Sequence, residues 1–190
     1  INPDEITSYA KLEEAVKKLD AKKAELGLEA VFAVAGKETW VTGLHFTNAA
    51  LSPEFENVFN AFNAKKIDFK YSEGMKKLFD LQINYAKKPV NSVDYSTQVE
   101  KLFSLGKVAF MQQGNWTLGA IKGIDEELAA NIGFLPMPIV GAKEDSIPVG
   151  IPMYWTVNST KDEKTQAAAK AFLNWMYTSE KGKDAIINKF

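Results

Sequence analysis

The stretch Gly106-Lys107-Val108-Ala109-Phe110-Met111-Gln112-Gln113-Gly114-Asn115-Trp116 decides the fold class. Four apolar residues, Val108 to Met111, follow one glycine and stop at two amides and a second glycine. A short apolar run bounded by such breakers predicts a buried strand. The polar tip behind it offers Trp116 at a strand-to-helix turn, with Asn115 placed to cap the helix through Trp116, Leu118 and Ile121. A second run, Ile132-Gly133-Phe134-Leu135-Pro136-Met137-Pro138, predicts a strand over Ile132–Leu135 that ends on paired prolines. Two prolines so close favour an extended crossing out of the domain rather than a helix.

Working outward, Ser8 to Leu26 predicts a helix with Leu12, Val16 and Leu19 on one face, Ser8 as N-cap and Gly27 as its stop. Ala30 to Ala35 is another buried strand between glycines. Thr39 onward predicts a helix with Trp40, Leu44 and Ala49 or Ala50 facing inward. Pro53–Ala64 carries Phe55, Val58, Phe59 and Phe62 at helical spacing, and Ser72–Ala86 repeats the pattern until Pro89 ends it. A short helix over Ser96–Leu105, capped by Ser96-Thr97, precedes Gly106. Later come a polar turn at 141–146, an extended run at 149–157, a helix over Thr160–Met176 and the start of another at Asp184. Short strands alternating with longer helices give an α/β class.

Composition bounds the function. The 190 residues are 46% hydrophobic, enough for a core, and carry 23 basic and 24 acidic side chains for a net charge of −1. A balanced charge argues against a nucleic-acid surface, which needs a basic field. All the basic residues are lysine. Without the bidentate guanidinium fork, an amino-acid, peptide or phosphate ligand is disfavoured. There is no cysteine, which excludes disulfides, thiolate metal sites and cysteine nucleophiles. No apolar run is long enough to span a bilayer, and residues 1–20 lack a signal-peptide core. His45 is the only histidine and has no partners at metal-ligand or catalytic spacing. No nucleophile elbow, phosphate loop or dinucleotide fingerprint occurs. Glu126-Glu127 reads as a solvated helix face, not a glycosidase pair. No cofactor is expected.

Taken in order, four segments resemble the extracellular solute-binding proteins of family 1, the maltose-binding-protein-like proteins that serve ABC sugar importers. Thr7-Ser8-Tyr9-Ala10-Lys11-Leu12 is a loose copy of that family's Pro-x-Thr-Trp-x-Glu-Leu opening, with tyrosine for tryptophan and lysine for the usual acid. Phe103 with Gly106–Trp116 matches its F-x-x-G-K-A-A-M-x-x-x-G-x-W element, and Ile132–Pro138 its I-G-x-x-P-x-P strand. Ala168–Glu180 matches its closing A-A-x-x-F-L-x-W-x-x-S-x-E helix. The resemblance implies a type II periplasmic-binding fold of two lobes, with residues 1–136 forming lobe two and 137–190 a return segment of lobe one. It further implies that part of lobe one precedes Ile1 and a helical tail follows Phe190.

The implied function is capture of a carbohydrate in an interlobe cleft, without catalysis. The closed form would dock on the permease subunits of an ABC transporter. The protein would be extracellular, a cell-surface lipoprotein or periplasmic, touching the membrane only through a lipid anchor upstream of this chain. A sugar has an apolar C–H face and a hydroxyl rim, so indoles cover the first and amides or acids satisfy the second. The expected ligand contacts are Trp116, Asn115, Gln113, Trp40, Glu38, Tyr154 and Met153. Each has an ordinary alternative: core packing for the two tryptophans, capping or solvent exposure for Asn115 and Gln113, a helix-start acid for Glu38. Tyr154 and Trp155 alternate along an extended run, so at most one faces a cleft. Trp175, beside Phe172 and Leu173, is expected in a core. A glycan-active enzyme and an α/β interaction domain without a small ligand remain open alternatives.

Overall fold

A computed structural model describes residues 2–150 and 154–189 of the chain. The molecule divides into two compact units, Ile1–Pro148 and Val149–Phe190.

The first unit is built on a small parallel sheet. Strand β1 (Ala30–Ala33) pairs with β2 (Val108–Met111), with Ala30 opposite Val108 and Phe32 opposite Phe110. On its other side β1 meets a single parallel bridge at Ala86, where Lys87 N–H donates to the Phe32 carbonyl. Being flanked on both sides, β1 is buried at every residue. Helix α1 (Tyr9–Lys22) forms as expected: the Ser8 hydroxyl accepts from Lys11 N–H, and Leu12, Ala15 and Val16 turn inward. Gly27 beyond it takes a positive φ of 69°, the left-handed conformation that suits glycine after a helix. Helix α4 (Ser72–Asn84) buries Leu78 and Leu81 against the same core.

The segment after β1 departs from the expected α-helix. Residues Trp40–His45 form a π-helical turn, π1, which continues as α2 (Phe46–Leu51). The inward residues are Val41 and Phe46, five apart, while Trp40 and Leu44 face solvent. Five residues in an α-helix put two side chains about 140° apart; a π turn closes i to i+5 and brings them onto one face. A second π segment, π2 (Thr97–Phe103), replaces the short α-helix before β2 and buries Gln98, Val99 and Leu102. Its first N–H is capped by the Asp94 carboxylate, not by Ser96.

Other expectations are corrected as well. Pro53–Ala64 is not one helix: a 3-10 turn (Ser52–Glu54) precedes α3 (Val58–Asn63), capped by Asn57, and Val58, Phe59 and Phe62 are exposed. Ile132–Leu135 is not a strand. It pairs with neither β1 nor β2, and the chain runs on until Ile139 plugs into the core beside Leu135 and Met137. There the chain passes so close to α4 that a Cβ on Gly74 would overlap the Val140 backbone. Glu144 then accepts from Tyr9 N–H at 2.9 Å, so residues 137–148 are stitched to the first unit.

β2 leads into α5 (Thr117–Ile124) and α6 (Glu126–Ala130). The second unit holds α7 (Glu163–Thr178), capped by Asp162, and α8 (Glu180–Lys189). The two approach closely where Gly182 meets the Met176 backbone. Trp175 is not a core residue of this unit: it is 45% exposed and stacks on Phe172 with ring centroids 5.8 Å apart. Two helices leave one face of α7 without a second layer. No helix among the described residues is long and apolar enough to cross a membrane.

Candidate functional site

Because β1 and β2 are parallel, their carboxyl ends point the same way, and the loops that follow them gather at one edge. Sites in α/β proteins form at that edge. The β1 loop delivers Gly36-Lys37-Glu38-Thr39-Trp40, and the β2 loop delivers Gln112-Gln113-Gly114-Asn115-Trp116. The two indoles meet with ring centroids 6.2 Å apart, tilted by 46°. Tyr95, from the segment before π2, lies 6.1 Å from Trp40. His45 lies edge-on to Trp40 at 5.5 Å and 5.8 Å from Trp116. Four aromatic rings from three separate stretches of chain thus make one surface. Trp40 remains 37% exposed and Trp116 50%.

Glu38 holds the cluster from beneath. One carboxylate oxygen accepts from the Trp40 indole N–H at 3.2 Å, and the other from Tyr95 N–H at 3.2 Å. The expected role of Glu38, accepting from a ligand, is therefore joined by a structural one. Under the β2 loop lies a chain of amides. The Gln98 amide nitrogen donates to the Ala33 carbonyl at 2.8 Å, and the Gln113 nitrogen donates to Gln98 Oε1 at 2.7 Å. The Gln112 nitrogen donates to the Val41 carbonyl at 3.2 Å, tying β2 to π1. A backbone carbonyl only accepts, so these two carbonyls fix the orientation of all three amides. The Gln112 and Gln113 oxygens are left buried without a hydrogen-bond partner.

Asn115 is exposed and does not cap α5. The turn closes instead on Gly114, whose carbonyl accepts from Thr117 N–H at 3.2 Å and from the Thr117 hydroxyl at 2.9 Å. Burial of the half-covered His45 ring lowers its pKa, so the imidazole in this cluster favours the neutral form. Among the described residues, no group of three or more histidine, cysteine, aspartate or glutamate side chains could hold a metal ion. A hollow of about 520 Å³ lies beside Thr42, Phe79, Lys88, Pro89, Val90 and Asn91 but is lined by neither indole. The aromatic cluster is an open wall, with Trp40 and Trp116 both partly exposed.

Of the residues expected from sequence, the structure brings together Trp40, Glu38 and Trp116, and places Gln113 beneath them. Tyr154 belongs to the second unit, where it is exposed, and Met153 lies outside the described residues. Sequence reasoning missed His45 and Tyr95. His45 has no partners at metal-ligand or catalytic spacing, and its contact with Trp40 is an aromatic one, made within the π turn.

A family model described as bacterial extracellular solute-binding protein matches residues 1–183. The chain belongs to this family. Its members are generally the solute-capturing components of ABC transporters, typically without enzymatic activity, and work outside the cytoplasm or in the periplasm with a small-molecule ligand and transporter partners. The parallel sheet with surrounding helices is consistent with the α/β class of that family's type II periplasmic-binding fold. Neither the curated proteins nor the solved structures gave a match.

Proposed function

We propose that this solute-binding protein captures a neutral carbohydrate, a sugar or short oligosaccharide, on the Trp40–Trp116 surface and presents it to an ABC importer. The observation that carries this reading is the meeting of two partly exposed indoles from two different strand ends, 6.2 Å apart. Burying them in the core would have been cheaper by the free energy of two large apolar side chains. Kept at the surface and braced by Glu38, they offer flat apolar faces that suit the C–H face of a pyranose ring.

The polar surroundings point the same way. Asn115, exposed beside Trp116, carries an amide that can both donate to and accept from hydroxyls. Arginine, the usual clamp for carboxylate or phosphate, does not occur in the sequence. Trp116 and Trp40 stack on the ring, Asn115 bonds its rim, Glu38 holds the platform and accepts from the nearest hydroxyl, and Gln113 supports the loop from below. Residues 1–148 act as lobe two, since 137–148 pack on the first unit, and the chain beyond them as the return segment of lobe one. The lobes close on the ligand, and the closed form engages the permease. The protein works as a cell-surface lipoprotein or in the periplasm.

Titration of the protein with a panel of neutral mono- and oligosaccharides, followed by tryptophan fluorescence and calorimetry, tests it. Saturable binding of at least one sugar, lost with Trp116→Ala, is expected. A flat response to every sugar overturns the carbohydrate reading, and turnover of a labelled oligosaccharide overturns the non-catalytic one.

A further inference from the structure

We propose that Gly114 is a positioning residue for the aromatic platform: its missing Cβ leaves the space in which the Trp116 indole lies. It thereby sets where that ring stands against Trp40 and His45. The functional meaning of this device rests on the reading of the two indoles as a ligand platform; the geometry does not.

The indole of Trp116 folds back over the chain two residues before it. A Cβ built on Gly114 would overlap ring atoms Cζ3, Cη2 and Cε3 of Trp116, the three nearest atoms it meets. Backbone conformation gives no other reason for glycine here. Among the glycines the positive φ values belong to Gly27, Gly106 and Gly141, so alanine fits the Gly114 backbone without strain. The backbone is not free to yield, because the Gly114 carbonyl is pinned by the Thr117 N–H and hydroxyl. The ring is free to yield, since Trp116 is half exposed. An added methyl therefore moves the indole rather than the fold. Gly119, in α5 of the same stretch, supplies the control: a Cβ there meets nothing within 4 Å.

Two indoles at this separation and tilt couple their transitions, giving a paired positive and negative band in the far-ultraviolet circular dichroism. The test reads that couplet without any ligand, so its outcome is separate from whether a sugar binds. Trp116→Leu assigns the couplet by abolishing it. Gly114→Ala is expected to remove about half of its amplitude or more, while the melting midpoint moves by no more than about 4 °C. Gly119→Ala is expected to leave the couplet at its parental size. A full couplet in Gly114→Ala, or equal losses in the two glycine variants, overturns the proposal. Should Gly114→Ala fail to fold, the double variant Gly114→Ala/Trp116→Ala decides. A folded double variant upholds the clash with the indole, and an unfolded one overturns it, because the methyl group then conflicts with something other than the ring.

Discussion

The Trp40–Trp116 pair and the Phe172–Trp175 pair are both aromatic, both close, and both open to solvent. They arise differently. Phe172 and Trp175 are three apart on one helix, so the helical period alone stacks them, at 26° between ring planes. Trp40 and Trp116 come from opposite halves of the first unit and meet only because two parallel strands end side by side. The first pair has a hydrogen-bonded support, with Glu38 on the Trp40 indole and a chain of glutamine amides under the β2 loop. Exposure by itself therefore does not mark a site. Convergence from separate elements onto a polar support is what sets the Trp40–Trp116 pair apart, because ordering such a surface costs conformational entropy.

The comparison breaks most readily at its support. Gln98 is fully buried, and Gln98→Leu strips the donor from the Ala33 carbonyl and the acceptor from the Gln113 amide. A loss of about 1–3 kcal/mol is expected in chemical denaturation, against about 0.5 kcal/mol or less for Trp175→Ala on the exposed face of α7. Equal losses would mean that the support is no more than ordinary packing.

Binding draws the next line between the pairs. Trp116→Ala is expected to weaken the best sugar of the panel by about tenfold or more, the scale of one stacked ring. Trp175→Ala, calorimetrically titrated in parallel, is expected to bind like the parent; a matching loss there would remove the distinction.

A smaller effect belongs to Glu38. Glu38→Ala frees the Trp40 indole N–H and the Tyr95 N–H of their shared acceptor. Acrylamide quenching of the indole emission should rise, with affinity down by about threefold. Unchanged quenching would show that the carboxylate does not hold the ring.

The smallest effect is one of pH. Burial holds the folded-state pKa of His45 below its ordinary value of 6.5. Between the two values the unfolded chain binds the proton and the folded one does not. Stability is thus unaffected above about pH 6.5 and falls as pH drops from there to the folded pKa. The ring is half covered, so the loss is modest. Melting curves across that window should fall less steeply in His45→Gln than in the parent; parallel slopes would refute a buried neutral imidazole.

How much of this could be read from the chain follows from how local each feature is. β1, β2, α1 and α4 rest on runs of apolar residues bounded by glycine, serine or proline, and these appear where the pattern puts them. Trp116 could be read as exposed because Gln112–Asn115 is polar on one side of it. The π turns could not, since their apolar positions fit an α-helix nearly as well. Taking the α period at Trp40 turned Trp40 and Leu44 inward and left Val41 and Phe46 unassigned. Ile132–Leu135 has the composition of a strand, but its apolar side chains are used otherwise: Leu135, with Met137 and Ile139, packs on the core of the first unit, while Phe134 is exposed. Trp175 reads as core for its neighbours' sake, though a two-helix unit offers nothing to cover it.

Composition and local pattern determined the α/β class, the absence of cysteine and arginine chemistry, and the family, because each depends on residue identity or on neighbours a few positions away. The tertiary structure alone decided that Trp40, His45, Tyr95 and Trp116 share a surface, and that Glu38 and three glutamine amides stand beneath it. Those contacts join positions up to 76 residues apart along the chain, and only strand pairing sets which of them meet.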